Sequence, residues 1–291
     1  MRLHLIDGTY ELFRAHFAPS SPVRAPDGRD AKATVGVVRS LLALLHDPAE
    51  APTHLAVAFD NPIRSFRNDL FAAYKGDEGV PPELRDQFDG VERAVRALGL
   101  AVWSMREHEA DDGLASGARR FRDEVEQVRV MTPDKDLGQC LLGERVVQVD
   151  RQRKRLITEA SFRAERGFAP ASVPDFLALT GDTADGIPGL PGFGEKTAGL
   201  LVGAYGRLEQ IPRDSAAWTV KPRGAPRLAE TLAARLDDAL LYRRLATLVD
   251  DAPVADSLDG LRFAGVPRAA FEAWCDELGA VALKKAPRAW R

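Results

Sequence analysis

LHLID, residues 3–7, and LAVAFD, residues 55–60, are short apolar runs that each stop on an aspartate, and they decide how the chain reads. Leu3–Ile6 and Leu55–Phe59 have the length and apolar continuity of buried strands. Between them, Val35–His46 places apolar residues at helical spacing. Outward along the chain, Gln87–Leu98 reads as a helix, Ala101–Trp103 as a third strand and Leu114–Glu124 as a helix. Val128–Met131 is a fourth strand and Val146–Val149 a fifth. Strands alternating with helices predict an α/β fold, with a mostly parallel sheet and helices on both faces. DRQRKR, residues 150–155, reads as a basic hairpin tip leading into Leu156 and Ile157, and Thr158 caps the helix that follows.

From about Pro170 the pattern changes to helical segments and glycine-rich turns. The expected division is therefore residues 1–170 and residues 171–291. The stretch Asn61–Asp86 is long for a connection inside a compact domain, which marks it as functional or disordered. With 291 residues, 45% of them hydrophobic and 29% charged, the composition is that of a globular protein. The apolar runs are too short to span a bilayer, and a charge within seven residues of the start argues against a secretory leader. Cys140 and Cys275 have neither metal-ligand nor disulfide spacing, so a reduced, cytoplasmic protein is expected. The net charge of −3 does not exclude a nucleic-acid partner, because carboxylates gathered in one metal site leave the remaining surface more basic.

The acidic residues fall at strand ends. Asp7 follows the first strand and Asp60 the second. Glu109, Asp111 and Asp112 (EADD) follow the third, and Asp134 and Asp136 (TPDKD) the fourth. Ligands of an open parallel sheet bind beyond the carboxyl ends of its strands, so these side chains are expected at one edge. Carboxylates crowded there repel one another unless cations intervene. Without cysteine, and with His108 the nearest histidine, the donor set suits Mg²⁺ or Mn²⁺ better than Zn²⁺. Asp182 and Asp185 in GDTADGIPG form a further acidic pair, although Asp beside Gly is also ordinary turn chemistry.

LIDGTYELFR, VAFDNPIRSFRNDLFAAYK, EADD, TPDKDL, LTGDTADGIPG and GFGEKTA occur in this order. Together they resemble the 5′–3′ exonuclease and flap endonuclease family, from about residue 3 to about residue 250. The resemblance implies a PIN-like α/β domain with a helical arch at about residues 61–90, followed by a helix–three-turn–helix at about residues 186–205. It implies two metal ions, Mg²⁺ or Mn²⁺, cleaving DNA phosphodiesters. Asp7, Asp60, Glu109 and Asp111 would map to one ion; Asp111 or Asp112 with Asp134, Asp136, Asp182 and Asp185 would map to the other. Lys75 and Arg14 match residues that meet phosphate near the scissile bond, with Phe13, Tyr74 and Arg67 as DNA contacts.

In the second module, Gly192 and Gly194 permit close backbone approach, and Lys196 and Thr197 open a helix suited to a DNA phosphate. The resemblance also implies K⁺ in that turn. Substrates would be DNA with 5′ ends, flaps, or branched or nicked duplex, handled by a monomer without a membrane. No polymerase motif follows, so a stand-alone nuclease is expected. One departure stands out: Asp77, Glu78 and Glu83 surround the arch where relatives are basic, and would repel a threading strand. The tip Arg151–Arg155 and the tail Lys284–Arg291 read first as solvated charge runs, with compensating DNA contacts the second reading. A DNA-binding scaffold without turnover and a PIN-type ribonuclease are the competing readings.

Overall fold

The computed structural model describes residues 1–254 and 257–291. Its centre is a six-stranded sheet of β1 (Arg2–Asp7), β2 (His54–Asp60), β3 (Ala101–Met105), β4 (Gln127–Met131), β5 (Val146–Asp150) and β6 (Arg155–Ile157), in the spatial order β3-β2-β1-β4-β5-β6. All neighbours are parallel except β6, which turns back antiparallel on β5 through the basic tip. The five expected parallel strands are present. The order reverses between β1 and β4, which opens a crevice at their carboxyl ends.

Alternation along the strands serves two apolar layers. Leu55, Val57 and Phe59 of β2 join a core with α1 (Gly8–Phe17), α2 (Lys32–Leu45) and the later helix α5 (Phe88–Ala97). Ala56 and Ala58 point to the opposite face, where Leu3 and Leu5 pack under α6 (Ala110–Phe121). Between β2 and α5 the chain makes only two single-turn helices, α3 (Arg67–Leu70) and α4 (Pro82–Arg85). The segment expected as a helical arch is thus mostly irregular, since Gly76, Gly79 and the Pro81-Pro82 pair interrupt helical runs.

α7 (Glu159–Arg166) ends at Gly167, which takes the left-handed conformation of a helix stop. A third core then unites α8 (Val173–Thr180), α9 (Glu195–Tyr205), α10 (Ala225–Ala234) and α11 (Leu236–Ala246). This core gathers apolar residues mostly from between Phe162 and Ala246. α12 (Arg268–Glu277) returns to the first unit, burying Phe271, Trp274, Cys275 and Leu278 in the core of α2 and α5. That apolar stripe carries no sequence motif, and its place follows from the area it removes from water.

Candidate active site

β1 and β2 end on Asp7 and Asp60. Asp7 caps α1, accepting a hydrogen bond from the Tyr10 backbone N–H at 2.8 Å and another from the Thr132 hydroxyl at 3.0 Å. Asp60 accepts from the Ala110 N–H at 2.7 Å, at the start of α6. Asp111 sits in the first turn of that helix, and Asp134 in the loop after β4. Asp7, Asp60, Asp111 and Asp134 line one cleft of about 340 Å³, with Thr9, Tyr10, Phe13 and Lys75. Burial pushes the Asp7 carboxyl up to about 7, and the nearby Asp60 and Asp134 push the same way. Burial, Asp134 and Asp7 raise Asp111 well above the ordinary carboxylate range.

A second group lies beside the first. Carboxylate oxygens of Asp136, Asp182 and Asp185 fall within 4.8 Å of one another. Asp136 is buried, its Oδ1 has no hydrogen-bond partner, and burial with Asp134, Asp185 and Asp182 raises its pKa strongly. An orphan buried acceptor among repelling carboxylates needs a proton or a cation. The all-oxygen donor set fits divalent cations such as Mg²⁺.

Lys75 joins the groups, with Nζ 3.0 Å from Glu109 Oε2 and 2.9 Å from Asp185 Oδ1. Burial alone would lower its pKa, but Glu109 and Asp185 outweigh that and hold the ammonium charged. The lysine is delivered by a close backbone contact, Lys75 N–H to Asp185 O at 3.0 Å. Gly186 permits it: φ is +72°, and a Cβ there would lie 2.3 Å from the Ala73 carbonyl.

Other expected site residues lie elsewhere. Asp112 is fully buried and turned away from the cleft. Its two oxygens accept from Arg67 Nη1 and Nη2, both at 2.7 Å, and from the backbone N–H groups of Glu109 and Val249, both at 2.9 Å. No oxygen is left to face an ion. Arg67 is therefore not a DNA contact: it is 1% exposed, and it also donates to the carbonyls of Leu245 at 2.7 Å and Thr247 at 3.0 Å. Tyr74 is buried as well, so base stacking is closed to it. Its hydroxyl donates to Glu109 Oε2 at 3.2 Å and so orients that carboxylate, while Ser65 Oγ holds the other oxygen at 2.8 Å. Arg14 lies one helical turn beyond Tyr10, tied to Glu11 and to Ser40 Oγ, and is not among the cleft-lining residues. Phe13 does line the cleft.

Sequence reading overlooked Ser65, Thr132 and Lys135, which hold Glu109, Asp7 and Asp182 respectively. Only the threonine and lysine, inside MTPDKD, had a local signal. In the second unit, Gly192 (φ +91°) and Gly194 are exposed ahead of α9, while Phe193 between them is buried and anchors the turn. Lys196 is exposed and Thr197 half-buried in the first turn of α9. This leaves backbone N–H groups at the helix start open to an anion.

Any cation held by these carboxylates would compete with their protons, so its binding would depend on pH. A carboxyl held above its ordinary value keeps a proton in the folded state that the unfolded chain has lost, so its contribution falls as pH rises from about 4 to about 7 for Asp7. His46 and His54, lowered by burial and by neighbouring arginines, act in the opposite direction. The decisive measurement is therefore the rise in melting temperature on adding Mg²⁺, not the raw value. That increment is expected to be several degrees larger at about pH 8 than at about pH 5.5, and an equal increment at both would contradict this origin.

Two family models match the chain. The 5′-3′ exonuclease N-terminal resolvase-like domain covers residues 2–167, and the 5′-3′ exonuclease C-terminal SAM fold covers residues 168–269. DNA polymerase I of Bacillus caldotenax is 35% identical over 285 residues, covering 96% of this chain and 31% of the polymerase. DNA polymerase I of Rhizobium leguminosarum is 36% identical over 266 residues, covering 89% of this chain and 26% of that protein. The chain thus spans about a third or less of the length of these relatives. Among solved structures, T5 5′-exonuclease with bound zinc aligns with a TM-score of 0.66 and 16% identity, covering 97% of this chain and 100% of the phage protein. The catalytic core of Rad2 in complex with DNA substrate aligns with a TM-score of 0.62 and 12% identity, covering 95% and 88%. At these identities the structural likeness speaks for the fold. Among the described residues, no helix is long and apolar enough to cross a membrane.

Proposed function

This chain belongs to the 5′-3′ exonuclease family, and we propose from that premise that it hydrolyses DNA phosphodiesters near 5′ ends, flaps or nicks, as a monomer using two Mg²⁺ or Mn²⁺ ions. The observation that carries the proposal is the pair of adjoining carboxylate groups at the switch point of the sheet. Asp7, Asp60, Asp111 and, in place of Glu109, which is tied to Ser65, Tyr74 and Lys75, Asp134 would hold one ion, and Asp136, Asp182 and Asp185 the other. Bound there, such ions would activate a water and stabilise the leaving oxygen.

The chain's own groups do the rest. Lys75 offers a fixed positive charge to the phosphoryl oxygens once a phosphate and ions draw it from Glu109 and Asp185. Phe13, Ile63 and Val80 give the cleft an apolar wall for a sugar or base. The turn before α9 takes a phosphate of the duplex through its backbone N–H groups and Lys196, a contact blind to sequence. The 61–87 segment lines the cleft through Ile63, Lys75, Gly76 and Val80, while exposed Glu78 lies beside them and Asp77 pairs with Arg85 at 3.1 Å.

The test uses a 5′-flap DNA, a single-stranded DNA and an RNA of the same sequence, each with Mg²⁺, Mn²⁺ or EDTA. The flap DNA is expected to be cut fastest, only with metal, leaving a 5′-phosphate. Cleavage of RNA alone would point to a ribonuclease, and no cleavage with either metal would leave a binding scaffold.

A further inference from the structure

The two carboxylate groups differ in what already holds them. Asp7, Asp60, Asp111 and Asp134 form no ion pair among the described residues, and Asp7 is held by neutral donors, the Tyr10 N–H and the Thr132 hydroxyl. In the group of Asp136, Asp182 and Asp185, two of the three carboxylates carry an ammonium partner. Lys75 takes Asp185 Oδ1, and Lys135 Nζ lies 2.8 Å from Asp182 Oδ2. The other oxygen of Asp182 accepts from the Ala184 N–H at 3.0 Å. Lys135 therefore stands on the oxygen that an ion would take.

The sequence puts this lysine at the seam of the site. Lys135 lies between Asp134 of the first group and Asp136 of the second, in a tight turn where the Asp136 N–H donates to Asp134 Oδ1 at 2.8 Å. Its side chain is 45% exposed, against 28% for Lys75, which is also tethered through its backbone to Asp185. Lys135 is thus the freer of the two to turn out to solvent. Asp136 has no such freedom: it is buried, and its Oδ1 has no partner among the described residues. An ammonium is a single charge on a flexible stem, and here it leaves that acceptor unsatisfied. A divalent cation carries twice the charge and gathers several oxygens at once.

We propose that Lys135 is a built-in counter-cation: it occupies the second carboxylate group in the metal-free protein, and an ion enters that group only by displacing it. This rests on the two-ion reading given above. It fixes an order of loading, in which the group without ammonium partners fills first and the group of Asp136, Asp182 and Asp185 fills second and more weakly. Lys135 acts on metal occupancy through Asp182, so it is a positioning residue. The alternative is an exposed ion pair that only steadies the loop of Asp182, a contact of small worth.

Binding of Mn²⁺ to the full chain without DNA, at about pH 7.5 and low salt, is followed by the electron paramagnetic resonance of the free ion. The wild-type protein is expected to bind one ion tightly and a second at least about tenfold more weakly. Asp136→Asn should abolish the weaker ion, which assigns it to the second group. Lys135→Gln should tighten the weaker ion about tenfold and leave the tighter one within about twofold, because no ammonium competes for Asp182. Lys135→Arg, which keeps a cation on Asp182, should stay within about threefold of wild type for both ions. Lys221→Gln, which removes an exposed lysine of the second unit that donates to the Ala216 carbonyl, should change neither. An unchanged second ion in Lys135→Gln would reduce the pair to a surface contact, and a weakened one would make Lys135 a support for Asp182; either result overturns the proposal. Equal tightening in Lys221→Gln would overturn it in favour of net charge. A single ion in both the wild type and Lys135→Gln would instead remove the two-ion reading itself.

Discussion

Asp111→Asn is expected to lose at least about a hundredfold in cleavage rate while the metal-free protein melts no lower, and at pH 8 higher, than wild type. The floor on rate follows because even outer-shell partners of a metal cost 10–100-fold when removed, and Asp111 stands directly on the cleft between Asp134, Asp7 and Asp60. The sign on stability follows from its raised pKa. An ionised Asp111 is disfavoured by burial and by its neighbours, and asparagine removes the charge at constant shape. Lost activity together with an unchanged or raised melting temperature separates a ligand from a structural carboxylate. A variant that is active, or one that unfolds, would remove Asp111 from the proposed ligand set.

Arg67→Ala is expected to destabilise the protein by about 3–5 kcal/mol in urea denaturation with EDTA present. The guanidinium is enclosed with Asp112, and removing it strands a buried carboxylate that keeps only two backbone donors. It also frees the carbonyls of Leu245 and Thr247 at the end of α11. The penalty belongs mostly to the charge left behind, so Arg67→Met with Asp112→Asn should cost much less than the two single changes added. Additive losses, or a cost below about 1 kcal/mol for Arg67→Ala, would mean that the pair is not the latch its geometry describes.

Asp111 and Asp112 show where sequence reading stops. Both belong to EADD, and at that level nothing separates them. In the helix they are about 100° apart, so one faces the cleft and the other the interior. Only the arrival of Arg67 from 45 positions away fixes which carboxylate is neutralised inside. The strand-end aspartates were legible because a strand's direction and its last residue are local facts. Arg67 and Tyr74 were misplaced because an arginine or a tyrosine in an irregular segment reads alike whether it faces DNA or a buried carboxylate. In the arch segment the proline and glycine content limits regular helix to two single turns ahead of α5. The return of α12 was invisible for a different reason. An amphipathic stripe states that a face is covered but not by what.

That return bears on synthesis. Phe271 and Trp274 belong to one core cluster with Val37, Leu41 and Val95, and Trp290 leans on Phe271 with ring centroids 6.2 Å apart. Residues separated by more than two hundred positions thus complete a single core, which gives the molecule a high contact order. As the chain leaves the ribosome, the sheet and α2 emerge first with part of their apolar face bare, and the face closes only when residues 268–290 arrive. During that interval the nascent chain offers an aggregation-prone surface, and a shortened chain ending near residue 250 would keep it permanently.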